Sequence, residues 1–141
     1  MRVMVIVKAT ANSEAGKMPS EKLLSDMMKF NEELVQAKVM HAGEGLHPTT
    51  RAKRIAFSHG RAPVVKDGPF AESKELIAGF WIWKVQSMDE AVQWAKRIPT
   101  SEEDPNGEVE IRQVFDADDF GDALTPELRA KEADLRARTG Q

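Results

Sequence analysis

The run Leu76-Ile77-Ala78-Gly79-Phe80-Trp81-Ile82-Trp83-Lys84-Val85 carries the strongest strand pattern in the chain. Phe80 and Ile82 alternate with Trp81, Trp83 and Val85, so large apolar side chains project from both sides of an extended backbone. Immediately downstream, Ser87-Met88-Asp89-Glu90 is a capping box. It opens a helix with Met88, Ala91, Val92, Ala95 and Ile98 on one stripe, and Pro99 ends it. Residues 108–115 read as a final strand, with Val109 and Ile111 on one face and Glu110 and Arg112 on the other.

Upstream, residues 2–9 read as a strand in which Val3, Val5 and Val7 point one way and Met4 and Ile6 the other. A loop with Asn12, Ser13, Gly16 and Pro19 leads to Ser20, a candidate N-cap. The helix from there to about Ala37 presents Leu23, Met27, Phe30 and Leu34 in one row. Residues 38–45 form a second strand candidate that ends at Gly43-Glu44-Gly45, and residues 53–59 a third. Residues 60–75, rich in Pro, Gly and charge, read as a loop. Strand, helix, a run of strands, helix, strand is the order of the split βαβ pattern. The expected fold is therefore α+β and ferredoxin-like, an antiparallel sheet with two helices on one face. Residues 1–116 make that domain. Residues 117–141 make a charged helical extension, with Thr125 as N-cap, Pro126 at the first position and few apolar anchors.

Two helices on one side leave the other sheet face open. The first strand and the Trp81 strand are apolar on both sides, and a monomer rarely exposes so large an apolar face. Two sheets packed face to face would bury it, which predicts a homodimeric α/β barrel. The alternative is that the C-terminal helix folds back over its own sheet.

At 141 residues the chain fits one domain and is long enough to bury a core without disulfides or a structural metal. It contains no cysteine, which excludes disulfide frameworks, thiolate zinc sites and cysteine nucleophiles, and fits a cytoplasmic location. Its 20 basic and 23 acidic residues give a net charge of −3, an argument against direct nucleic-acid binding. The apolar run at the N-terminus is too short for a signal-peptide core or a membrane span.

The loop Lys66-Asp67-Gly68-Pro69-Phe70-Ala71-Glu72-Ser73-Lys74-Glu75 leads directly into the strand Leu76–Val85. Gly43-Glu44-Gly45-Leu46-His47-Pro48 lies upstream; Asp89-Glu90-Ala91, Trp94-Ala95 and Glu108-Val109-Glu110-Ile111-Arg112 lie downstream. With these motifs in this order, residues 1–115 resemble the DGPF branch of the YCII-related superfamily. The resemblance implies a ferredoxin-like dimeric barrel. It also implies a candidate enzymatic aspartate at Asp67. The histidine that accompanies it elsewhere in the superfamily lies in the first helix, where this chain has Met27, Met28 and Lys29. DGPF-type domains also resemble modules joined to or associated with sigma factors, which implies a regulatory alternative.

Asp67 is the first candidate for acid–base chemistry; the competing reading is an Asp-Gly turn in which it hydrogen-bonds its own backbone. His47 is a candidate proton carrier, since imidazole titrates near neutrality, or else a surface histidine. Lys74, Glu75 and Arg112 are candidate ligand-binding residues. Arg112 suits a carboxylate or phosphate and would, if buried, need a partner such as Glu110, Asp67 or Glu75. His41, His47 and His59 match no metal-binding spacing, so no metal is expected. Serine-nucleophile, phosphate-loop and dinucleotide motifs are absent, and no organic cofactor is expected. The leading expectation is a homodimer whose pocket binds a small polar or anionic molecule, with room for cofactor-free acid–base chemistry. The rival is a non-catalytic interaction or regulatory module, which the resemblance associates with a sigma factor. A cofactor-free oxygenase rests on fold analogy alone.

Overall fold

A computed structural model of the chain describes residues 1–72 and 75–140. Its centre is a four-stranded antiparallel sheet in the order β2-β5-β1-β6, with β1 at Arg2–Lys8, β2 at Met40–Gly45, β5 at Ile77–Lys84 and β6 at Val109–Gln113. This is the ferredoxin-like strand order, with the Trp81 strand beside the N-terminal one.

Two helices cover one face, α2 at Glu21–Gln36 and α3 at Met88–Ala95. Each starts where the sequence places a cap. The Ser20 hydroxyl accepts from the Leu23 N–H, and that of Ser87 accepts from the Glu90 N–H. The Glu90 carboxylate reaches back to the Gln86 N–H at 2.6 Å. The core lies between these helices and the sheet: Val3, Val5, Trp81, Trp83 and Val85 from the strands, Phe30, Leu34 and Ala91 from the helices. Phe30 meets Trp81, Trp83 and Trp94 edge-on, each at 6.3 Å between ring centroids.

Met4, Ile6, Phe80 and Ile82 are cross-strand neighbours on the opposite face, and all four are half-buried. Arg112 and Glu110 extend this face onto β6, opposite Met4 and Ile6. The C-terminal helix α4, Pro126–Thr139, starts as expected, with the Thr125 hydroxyl accepting from Leu128 and Pro126 in the first turn. It approaches one end of the outer face, where Glu132 and Arg136 share a cleft with Arg2 and Lys84. It does not pack extensively on the sheet.

The structure corrects the sequence reading in two places. The third strand, expected over residues 53–59, does not join the sheet. As β3, Lys53–Ala56, it pairs only with β4, Val64–Asp67, which falls in the expected loop. Val64 and Val65 are good strand formers, but they sit in so short a run that Pro63 and Gly68 dominate its composition. The N-terminal loop also contains a helical turn, α1 at Ala11–Glu14. Thr10 and Ser13 cap it reciprocally, so the Thr10–Ser13 spacing was the available signal. No helix among the described residues is long and apolar enough to cross a membrane.

Candidate functional site

Asp67 ends β4, and the backbone that follows lies flat on the 3-10 turn Thr49–Arg51. The Gly68 N–H donates to the Ala52 carbonyl at 2.9 Å. A Cβ at residue 68 would stand 1.7 Å from the Thr49 carbonyl oxygen, so only glycine permits this approach. One step on, the Phe70 N–H donates to the Thr49 hydroxyl oxygen at 3.0 Å. Thr49 is itself held: its N–H donates to Glu14 Oε1 at 2.9 Å, and its hydroxyl donates to the same oxygen. The Arg54 guanidinium sits 3.9 Å above the centre of the Phe70 ring. Asp67-Gly68-Pro69-Phe70 is thus fixed from both sides, with Glu14 on α1 as the anchor.

Asp67 faces Lys53 across the ribbon, its carboxylate 2.5 Å from the ammonium, and both side chains are largely exposed. Its own-backbone turn, the competing reading, gives way to this cross-strand pair. His47 stands two residues before Thr49. Arg51 Nη1 lies 3.2 and 3.0 Å from its two ring nitrogens, and because a guanidinium only donates, a ring nitrogen is the acceptor. Asp67 and His47 therefore emerge from one cluster, pinned together through Thr49 and Gly68, although no hydrogen bond joins them among the described residues.

The other candidates are placed differently. Glu75 is exposed on the approach to β5, its N–H donating to the Glu72 carbonyl at 2.9 Å. Lys74 lies outside the described residues. Arg112 is exposed on β6, the edge strand farthest in sheet order from β2, and forms no ion pair among the described residues. The partners considered for a buried Arg112 are not needed in a single chain, where water solvates the guanidinium. Among the described residues, one cleft of about 460 Å³ includes His41 and Lys84 and another of about 220 Å³ lies beside Thr10 and Glu108; neither of these includes Asp67 or Arg112. His41, His47 and His59 lie in three separate places: a strand, a turn and the tip of the β3–β4 ribbon. Among the described residues no three His, Asp or Glu side chains converge as a metal site. Glu14 and Thr49 are the site residues that sequence reasoning missed.

The profile of the YCII-related domain matches residues 1–118. The chain belongs to the YCII-related family. An uncharacterised protein of Rhizobium meliloti is 33% identical to it over 106 residues, which is 74% of this chain and 83% of the relative. Among solved structures, it is similar to 5-chloro-2-hydroxyhydroquinone dehydrochlorinase of Burkholderia phenoliruptrix, in complex with 2,5-dihydroxybenzoquinone. That likeness covers 82% of this chain and 94% of the other, at 12% identity and a TM-score of 0.47. The YCII-related match takes in the whole Glu14–Thr49–Asp67 cluster and ends before α4.

Proposed function

We propose that this YCII-related chain is a cytoplasmic homodimer that binds a small polar or anionic molecule between the outer faces of its two sheets. The observation that carries this reading is the makeup of that face. Met4, Ile6, Phe80 and Ile82 form an apolar floor, and Arg2, Lys84 and Arg112 stand on the same side of the sheet. A second copy would exclude water from the floor and leave the cations to neutralise an anionic group.

In this reading Arg112, Lys74 and Glu75 bind and orient the ligand, while Asp67 and His47 move a proton. Asp67 suits proton transfer because the Glu14–Thr49 contacts fix the loop that carries it and its side chain is largely open to an incoming molecule. His47 suits a proton carrier because the same cluster fixes its turn. No organic cofactor is invoked. The test is a thermal-shift screen of the full chain against small carboxylates and phosphate esters, repeated on Arg112→Ala and Asp67→Asn. Arg112→Ala should abolish the response to the best ligand. Asp67→Asn should keep binding and lose any turnover. If Asp67→Asn leaves stability, ligand response and turnover all unchanged, the catalytic assignment falls.

A second reading rests on the open position of Asp67, with neither cleft beside it. In it the domain is a non-catalytic regulatory module that works with a sigma factor. Co-purification with a sigma factor, together with no ligand response from any small anion, would favour this reading.

A further inference from the structure

Helix α4 does not lean on the domain through its apolar side chains. Leu128 and Leu135 stay 50% and 48% exposed. Glu132 and Arg136 instead line a cleft of about 460 Å³ between the helix and the end of the sheet. Charged groups turned inward lose solvation that apolar ones would not, so the leucines would make the better contact if holding the helix were the whole purpose.

The opposite wall of the cleft belongs to the sheet. Arg2 and Lys84 are direct cross-strand partners there, and like charges so placed repel. His41 joins them from β2 by way of a bulge: Met40 stands opposite Trp83 and Ala42 opposite Ile82, which leaves His41 as the extra residue. A bulge re-aims a side chain, and this one brings His41 to the cleft. Arg2, Lys84 and Arg136 thus bring three cations from three elements, and Asp116 and Glu132 bring two carboxylates. Asp116 pairs with Arg2 at 3.2 Å, and Glu132 pairs with Arg136. Lys84 is exposed and forms no ion pair among the described residues, so the surplus positive charge rests on it.

We infer that this cleft binds the phosphate group of a small organic phosphate, with Lys84 as the main anchor and Arg2, Arg136 and His41 as further donors. This rests on the anion binding proposed above and gives the anion a place complete within one chain. A phosphate accepts from several directions at once, as cations on β1, β5 and α4 require, whereas a single guanidinium fork satisfies a planar carboxylate. The cleft is in the size range of small-molecule sites, and a bare phosphate would fill little of it. Glu132 and Arg136 lie beyond residues 1–118, so α4 adds this wall to the YCII-related domain.

The test titrates the full chain with ribose 5-phosphate, inorganic phosphate and acetate at one low ionic strength, read from amide shifts in nuclear magnetic resonance spectra. It is repeated on Lys84→Gln and Glu132→Gln, each checked for folding by circular dichroism. Ribose 5-phosphate should bind most tightly and move the amides of His41, Lys84 and Arg136. Lys84→Gln should weaken it about fivefold or more, and Glu132→Gln should tighten it about threefold or more, because a repelling carboxylate is gone and Arg136 is released. A purely structural role would not give the two variants opposite signs. Acetate as tight as phosphate would overturn the phosphate class, and phosphate as tight as its ester would overturn the organic body. Ribose 5-phosphate binding that neither variant changes would overturn the cleft and leave the proposed function standing. No shift from any of the three anions would also overturn the cleft, while the wider screen of carboxylates and phosphate esters still decides the proposed function.

Discussion

Oε1 of Glu14 accepts two hydrogens from Thr49, one from its backbone N–H at 2.9 Å and one from its hydroxyl. The Thr49 hydroxyl oxygen in turn accepts the N–H of Phe70. A side chain on a single helical turn thereby fixes a loop more than fifty residues away along the chain.

Thr49→Val keeps the shape of residue 49 and removes its hydroxyl, which takes part in two of these bonds. The loss should cost about 1–2 kcal/mol of stability in urea unfolding. In hydrogen exchange the Phe70 amide should lose protection while the amides paired between β1 and β5 keep theirs. Unchanged protection at Phe70 would show that the loop is held in some other way.

Gly68→Ala meets backbone rather than a movable side chain. The added methyl would overlap the Thr49 carbonyl, so the turn and the ribbon must separate. A cost of about 2–3 kcal/mol is expected, as for overpacked sites generally. The four-stranded sheet should survive, with the near-ultraviolet signal of its tryptophans intact. A fully stable Gly68→Ala protein would contradict the close approach.

Trp81 Nε1 donates to Asn31 Oδ1 at 3.0 Å, on the edge of the core. Asn31→Leu should cost about 1–3 kcal/mol, because the indole N–H of a nearly buried ring loses its acceptor. Adding Trp81→Phe removes the stranded donor. The double variant should therefore be less destabilised than the sum of the two single ones, which thermal melts of all four proteins would read. Strict additivity would mean that the bond contributes nothing.

Asp67→Asn should change stability by no more than about 0.5 kcal/mol, because the Lys53–Asp67 pair is exposed at both ends. The same substitution can therefore report on function without a folding defect. A larger loss in a thermal melt would make Asp67 a structural residue.

Much of the fold was legible because its signals are local or periodic. The alternation of Phe80 and Ile82 with Trp81 and Trp83 gave a two-faced strand, and Ser20 and Ser87 marked the starts of α2 and α3. The ribbon was half legible. Residues 53–56 alternate visibly, but their partner Val64–Asp67 is four residues long and sits between Pro63 and Gly68. The site was less legible still. Alternation told which face Arg112 occupies but not which edge of the sheet. Glu14 carried no mark of its role, since its partner is a tertiary neighbour that no spacing rule connects to it. Asp67 and His47 were found through the motifs around them, and their shared clamp through Thr49 emerged only from the packing.

Among the described residues no helix lies over the centre of the apolar face formed by Met4, Ile6, Phe80 and Ile82, and the proposed dimer and its pocket both depend on what covers it. Sedimentation equilibrium of the full chain at micromolar concentration bears on this most directly. The mass of two 15.7 kDa chains is the expected result. The mass of one, unchanged as concentration rises, would leave that face to water and contradict the dimer and everything placed between its halves.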